Sequence, residues 1–134
     1  MVRDQGSRDR RAVVIHGFKE LIVWQRAMDA AAEIYGLTKK LPPTETFGLG
    51  NQLRRAAVSI PSNIAEGFGR GTKKDYACFL TTARGSAFET ETQLLLCVRA
   101  KYLSEGEIRH SLALLAEVGR MINAMLPKLR AKGA

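Results

Sequence analysis

Residues 49–68 read LGNQLRRAAVSIPSNIAEGF, and the spacing of the apolar side chains in this stretch decides the fold class. Apolar residues recur every three or four positions, which places them on one face of an α-helix. The face consists of Leu49, Leu53, Ala57, Ile60, Ile64 and Phe68. Thr44 is expected to cap this helix, with Glu45 in its first turn, so the predicted span is roughly 45–67. Pro61 predicts a kink, because proline removes a backbone donor and displaces a carbonyl of the preceding turn.

Three other segments have the same helical period. The first begins at Phe18 and ends where Leu41 meets two prolines. The third follows Thr72 and Asp75, which resemble a capping box, and extends to about Tyr102. The fourth follows a fuller capping box, Ser104 with Glu107, and extends to about Leu129.

The sequence therefore predicts an all-α fold, an antiparallel up-and-down four-helix bundle over residues 18–131. Residues 1–17 are polar, rich in arginine and without periodicity, which predicts a flexible basic arm. At 134 residues, the chain is expected to form one domain.

The third helix carries a surplus of apolar residues, because residues 94–98 read LLLCV. Five consecutive apolar residues surround much of a helix, and one bundle core cannot cover them all. We therefore expect a subunit interface and a homo-oligomer. The alternative is that short loops or side chains of the fourth helix cover the surplus.

Composition restricts the environment and the class of partner. The chain has 21 Lys and Arg against 13 Asp and Glu, a formal net charge of +8, which favours polyanionic partners such as RNA or DNA. Apolar runs are too short for a secretion signal or a membrane span. We expect a cytoplasmic protein that does not contact membranes.

Candidate catalytic groups are sparse. His16, His110, Cys78 and Cys97 have no spacing typical of metal ligands, so no metal and no cofactor is predicted. Both cysteines have apolar neighbours and are expected to be inert core thiols. No catalytic residue is assigned.

A polar cluster is expected where the second helix meets the third. Asn63 and Glu66 adjoin the apolar face, and Arg84 is expected to neutralise Glu66 or Glu89. Gly85 and Ser86 beside it are small enough to permit close helix approach. Such clusters more often fix helix register than catalyse a reaction. An enzyme that uses Asn63, Glu66 and Arg84 is the weaker alternative.

Basic residues supply the candidate binding site, which we assign to nucleic acid: Arg54, Arg55, Arg70, Lys73 and Lys74. The last three adjoin a glycine-rich turn, residues 67–71, that precedes a helix N-terminus, where backbone donors hold anions. The chain does not alternate basic residues with exposed aromatic residues, the pattern typical of single-strand-binding proteins.

Four segments resemble a known family: residues 18–25, 52–57, 59–67 and 83–86. It is the four-helix-bundle family that includes proteins encoded in intervening sequences of bacterial 23S ribosomal RNA genes. The resemblance extends from Phe18 to Leu129 and implies a ring-like homopentamer. A similar protein, the accessory protein of diversity-generating retroelements, binds nucleic acid and a reverse transcriptase. The resemblance thus names three candidate partners: a second copy, RNA or DNA, and a protein such as a reverse transcriptase.

Charge and resemblance together predict a non-enzymatic, oligomeric module that associates with RNA or DNA. The alternative is a protein–protein scaffold without nucleic-acid binding, in which positive charge keeps the ring soluble or contacts an acidic protein.

Overall fold

The computed structural model describes residues 15–131, and these form four helices. Helix α1 spans Ile22–Thr38, α2 spans Leu49–Gly69, α3 spans Lys73–Arg99 and α4 spans Glu105–Arg130. Short 3-10 turns, Phe18–Glu20 and Pro43–Glu45, precede α1 and α2. Residues 15–131 contain no strand, which confirms the predicted all-α class. Most of the predicted basic arm, residues 1–14, lies outside the described residues.

Helices α3 and α4 begin at the predicted caps. The Thr72 side chain accepts a hydrogen bond of 3.1 Å from the backbone N–H of Asp75. Ser104 and Glu107 form a complete capping box, with reciprocal bonds of 2.9 and 3.1 Å. Helix α3 ends at Arg99 rather than Tyr102, because Lys101 has a φ of 65° and lies in the left-handed region.

The predicted start of α2 was wrong. Thr44 does not cap the helix, and Glu45 lies in a separate 3-10 turn that begins at Pro43, where the fixed proline φ suits a first helical position. Gly48 has φ −100° and ψ −111°, outside the helical region, so α2 begins only at Leu49. The Glu45 carboxylate instead accepts a 3.0 Å hydrogen bond from the Leu49 N–H. Helix α2 then continues through Pro61 to Gly69, and the kink stays a prediction.

The helices pack in cyclic order: each contacts its neighbours in sequence, and α1 also contacts α4. The core between them is mainly apolar, with Thr90 and Ser111 as fully buried polar residues. Its largest fully buried aliphatic side chains are Ile34, Leu53, Ile60, Ile64, Leu80, Leu94, Ile108 and Ile122. None of the helices within the described range is long and apolar enough to cross a membrane.

Side-chain contacts show which connections share an end of the molecule. Lys40 Nζ, just after α1, lies 3.0 Å from Glu107 Oε2 in the first turn of α4. Tyr102 OH, just after α3, donates to Glu45 Oε2 at 3.0 Å. The α1–α2 and α3–α4 connections therefore share one end, which we call the loop end (residues 39–48 and 100–104). The α2–α3 turn lies at the other end of α2, about 30 Å away at the α-helical rise per residue.

Helix α2 approaches α3 closely at Gly67, whereas Gly85 makes no close approach of the kind that the sequence predicted. A Cβ at Gly67 would lie 2.6 Å from the Cβ of Phe79, so only glycine permits this packing. Gly85 is exposed, and a Cβ there would meet nothing within 4 Å. The close approach thus depends on Gly67, the residue at which the predicted helix ends. The sequence did not indicate this role, because the residue that fills the space, Phe79, lies on a different helix.

Candidate nucleic-acid interface

The five predicted binding residues do not form one site. Arg70, Lys73 and Lys74 lie at the α2–α3 turn, whereas Arg54 and Arg55 lie in the second turn of α2. The two groups are about 22 Å apart along α2 at the α-helical rise per residue. The structure therefore divides the predicted surface into two basic regions at opposite ends of the bundle.

The region at the α2–α3 turn also receives cations from α4. Arg130 Nη2 donates to Thr81 Oγ1 at 3.1 Å, which places the last turn of α4 beside the first turns of α3. We call this region the basic end and define it by five residues: Arg70, Lys73, Lys74, Lys128 and Arg130. All five side chains are exposed.

Arg70 is the member of the basic end whose guanidinium contacts both a carboxylate and an aromatic ring. Its Nη2 lies 2.9 Å from Glu66 Oε2, and its Cζ lies 4.9 Å from the centroid of the Phe79 ring. Glu66 offsets part of its charge, whereas within the described range the other four members make no ion pair. Among the described residues, Lys73, Lys74, Lys128 and Arg130 would therefore meet a polyanion without an ion-pair partner of their own.

The second region, at the loop end, contains an aromatic residue that sequence reasoning missed. Arg54 Nη2 donates to the carbonyl oxygen of Thr46 at 2.9 Å, which ties the guanidinium to the backbone of the turn that carries Phe47. The Phe47 side chain is 91% exposed. Its position in a proline- and glycine-bounded turn, outside the apolar face of α2, is the one feature in the sequence that indicates this exposure.

The predicted polar cluster is not assembled. Arg84 Nη1 donates to Asn123 Oδ1 of α4 at 2.8 Å, so the expected pairing with Glu66 or Glu89 was wrong. Asn63 Nδ2 donates to the carbonyl of Ser59 within its own helix at 2.7 Å. Glu66 pairs with Arg70, and Glu89 Oε2 accepts from Gln93 Nε2 at 3.3 Å. The residues named for the enzyme alternative thus have separate partners, because Arg84 lies on the side of α3 that contacts α4.

The cysteines have different environments. Cys97 is buried, and burial with the nearby Glu45 charge raises the pKa of its thiol. Cys78 is exposed, so the prediction of a core thiol was wrong for this residue. His110 is exposed on α4. Within residues 15–131, no group of three or more His, Cys, Asp or Glu side chains is arranged to hold a metal ion.

Two apolar grooves lie on opposite sides of the bundle, since α1–α2 and α3–α4 are opposite pairs in the cyclic order. The α1–α2 groove is lined mainly by apolar side chains: Trp24, Met28, Ala31, Tyr35, Val58, Pro61 and Ala65. The α3–α4 groove includes Leu95, Val98, Ile108 and Leu112. Phe88, two helical turns before Leu95, continues the same face. We call Phe88 and Leu95 the α3 stripe.

The apolar surplus of the third helix is exposed, in agreement with the sequence analysis. Leu95 is 46% exposed and Leu96 is 52% exposed, and Phe88 reaches 61%. The alternative, in which loops or α4 cover the surplus, was wrong for Leu95 and Leu96. Large apolar surfaces of this kind mark interaction sites in soluble proteins.

Comparisons with known proteins relate the chain to one family. Residues 19–124 match the family model described as 23S rRNA-intervening sequence protein. Among solved structures, the chain is similar to a protein with unknown function from the S23 ribosomal protein family of Bacteroides thetaiotaomicron VPI-5482. The TM-score is 0.72 at 25% sequence identity, and the alignment covers 78% of this chain and 97% of that chain. A comparison with curated proteins finds no match.

Proposed function

Because this chain belongs to the family of 23S rRNA-intervening sequence proteins, we propose that it is a non-enzymatic, homo-oligomeric module that binds RNA or DNA. The observation that carries the proposal is the basic end, where α2, α3, their turn and α4 bring together five exposed cations. The net charge of +8 supports the same class of partner.

The basic end suits phosphate groups rather than base edges. Lysine ammonium groups on long, exposed side chains contact phosphates as point charges and carry no sequence information. Arg70, ordered by Glu66 and by the Phe79 ring, offers a preorganised guanidinium beside them. We therefore expect binding that depends strongly on salt and weakly on nucleotide sequence.

The subunit we propose is an antiparallel up-and-down bundle. Three contacts support this topology: Lys40 with Glu107, Tyr102 with Glu45, and Arg130 with Thr81. The first two join the end of one helix to the start of a neighbour, and the third joins the end of α4 to the first turns of α3.

The oligomer we propose joins the α3 stripe of one subunit to the α1–α2 groove of the next. Gln93 Nε2 lies 3.5 Å from Gln52 Oε1, so these two positions are level along the bundle. In antiparallel helices, Phe88 is then level with the region of Val58, which lines the groove. The α3 stripe and the α1–α2 groove thus lie at the same level along the bundle axis and on opposite sides of the subunit. This arrangement favours a closed head-to-tail ring. The family resemblance supplies the number of subunits, five.

The test of the proposed function is a fluorescence anisotropy titration of a labelled structured RNA at rising salt. A double variant, Lys73→Gln with Lys128→Gln, is compared with a control that removes two exposed α4 charges elsewhere, Arg109→Gln with Arg120→Gln. We expect the first to reduce the slope of log K against log salt by about 0.7–0.9 for each lysine that contacts a phosphate. The control is expected to preserve the slope.

Two results would contradict the proposal. One is the absence of RNA and DNA binding at low salt. The other is an equal reduction in the slope of log K against log salt for both double variants. If protein partners then survived nuclease treatment and no nucleic acid were recovered, the protein–protein scaffold would replace this proposal. Light scattering on both variants shows whether the assembly is intact.

A further inference from the structure

Phe47 is the most exposed large apolar side chain within residues 15–131, at 91%. It occupies the turn between two helices, where it contributes to neither the core nor the two apolar grooves. Such exposure has no benefit for folding, because the ring loses no contact with water. A role in binding explains it.

The backbone on both sides of Phe47 is held by hydrogen bonds. On one side, the Thr46 N–H donates to the Pro43 carbonyl at 3.1 Å, and the Thr46 carbonyl accepts from Arg54 at 2.9 Å. On the other side, the Gly48 N–H donates to the Glu45 carbonyl at 3.2 Å. The turn is thus ordered before any partner binds, which lowers the entropic cost of using Phe47 as an anchor.

The carboxylate of Glu45 fastens this turn to the rest of the bundle. One oxygen accepts from the Leu49 N–H and the other from the Tyr102 hydroxyl, each at 3.0 Å. The second bond joins the α1–α2 turn to the α3–α4 connection. The hydrogen bond to Glu45 also raises the pKa of Tyr102. Phe47 therefore projects from a platform built by two connections.

The charges around Phe47 indicate what kind of partner it contacts. The Arg54 guanidinium binds the backbone carbonyl of Thr46, the residue before Phe47, and within the described range it has no carboxylate partner. Lys39 and Lys101 are exposed at the same end, while the two oxygens of Glu45 are already hydrogen-bonded. An apolar protein surface would match the ring but leave these cations unmatched. A nucleotide matches both, since its base stacks on an aromatic ring and its phosphate pairs with a guanidinium.

We propose that Phe47 stacks on an unpaired nucleobase and that Arg54 contacts the adjoining phosphate, so that the loop end binds a single-stranded segment. This inference rests on the proposed nucleic-acid function and adds a second contact, distinct from the basic end. Stacking on an aromatic ring tolerates any base, because every base has a π face. The loop end thus selects unpaired strands rather than a sequence.

The experiment measures binding of a short single-stranded RNA that contains 2-aminopurine, with a duplex of the same length as the comparison. Phe47→Ala is expected to weaken single-strand binding by about tenfold, which corresponds to the usual worth of one stacked base. Phe47→Leu keeps an apolar side chain without a π face and should lose as much single-strand affinity as Phe47→Ala. Phe47→Trp should retain the affinity. Duplex binding should stay within about twofold for all three, because stacking needs an unpaired base.

The fluorescence of 2-aminopurine supplies a readout that a purely structural role would not change. We expect the 2-aminopurine fluorescence to be quenched when the RNA binds the wild type or Phe47→Trp. We expect no quenching when it binds Phe47→Leu. Ile22→Ala is the matched control: it removes another exposed apolar side chain (54%), at the start of α1, and should leave both signals unchanged.

Three outcomes would overturn the inference. The first is an unchanged single-strand affinity for Phe47→Ala, and the second is wild-type affinity for Phe47→Leu. The third is a lower mass of the assembly for Phe47→Ala, which would make Phe47 a subunit contact. If duplex binding persists in any of these cases, the proposed function stands and only the role of Phe47 fails. If the wild type binds neither strand form, both proposals fail.

Discussion

At the scale of single residues, the two glycines of the α2–α3 pair show how neighbouring structure decides what a residue is for. Gly67 is buried, and the Cβ of Phe79 occupies the space that a side chain would need. Gly85 faces open space in the middle of α3. The first glycine permits a helix contact, whereas the second weakens its helix because glycine has a low helix propensity.

Alanine substitution should therefore have opposite effects at the two positions. Gly67→Ala is expected to lower the free energy of unfolding by about 1–3 kcal/mol through overpacking. Gly85→Ala should raise it by about 0.5–1 kcal/mol. Urea denaturation at one protein concentration measures both. Equal effects of the two substitutions would show that Phe79 moves away without cost.

At the scale of elements, the start of α4 combines a local cap with a tertiary contact. Glu107 accepts from the backbone N–H of Ser104 at 2.9 Å and lies 3.0 Å from Lys40 Nζ. The hydrogen bond from Ser104, then that from Lys40, lowers the pKa of Glu107 below its ordinary value of 4.5. One carboxylate thus helps to begin α4 and to attach it to the end of α1.

The lowered pKa of Glu107 predicts a contribution to acid stability. Because the folded state holds the charged form, this contribution is complete above the unfolded pKa and is lost as pH falls through the folded pKa. Glu107→Gln should therefore be less stable than the wild type at pH 7, and the difference should shrink below about pH 4.5. Thermal unfolding across this range measures the difference.

Glu105→Gln is the control, since it removes a charge from the same first turn of α4. If its pH profile changed as much as that of Glu107→Gln, the helix dipole rather than the Ser104 and Lys40 contacts would account for the effect.

At the scale of the whole molecule, the two basic regions and the two apolar grooves occupy different parts of the surface, and Phe47 is an exposed apolar side chain that shares an end with cations. The basic end and the loop end carry cations at the two ends of the bundle, while the apolar grooves lie along its sides. A head-to-tail ring that uses the sides would leave the ends free and would repeat each basic region around the axis. Repetition strengthens the overall binding of weak phosphate contacts without any new interaction, because binding at one site raises the effective concentration of nucleic acid at the next.

The proposed ring predicts that Phe88→Glu dissociates the assembly. The substitution removes a large apolar contact, worth about 1.5–3 kcal/mol, and buries an unpaired charge at each interface. Light scattering should give the mass of a single chain for the variant and about five chains for the wild type. Ile22→Glu, which places the same charge outside both grooves, should keep the wild-type mass. A single-chain mass for the wild type would refute the ring.

The sequence by itself determined the helical fold class, the number of helices and two of their caps. These features depend on residues within one or two turns: the apolar period of residues 49–68, Thr72 with Asp75, and Ser104 with Glu107. The family resemblance was likewise evident from the sequence, because short motifs carry it. The start of α2 was missed, since Glu45 bonds to Leu49 and to the distant Tyr102 instead of lying within the helix.

Only the tertiary structure decided which side chains share a surface. It gave Arg84 the α4 residue Asn123 as its partner, divided the predicted basic surface between two ends, and bound Arg54 to the turn that carries the exposed Phe47. The physical reason is that periodicity specifies which face of a helix is apolar, while partner choice at the surface depends on how the helices are rotated and staggered. Those two quantities are set by packing of the whole core, as at Gly67, and no local pattern encodes them.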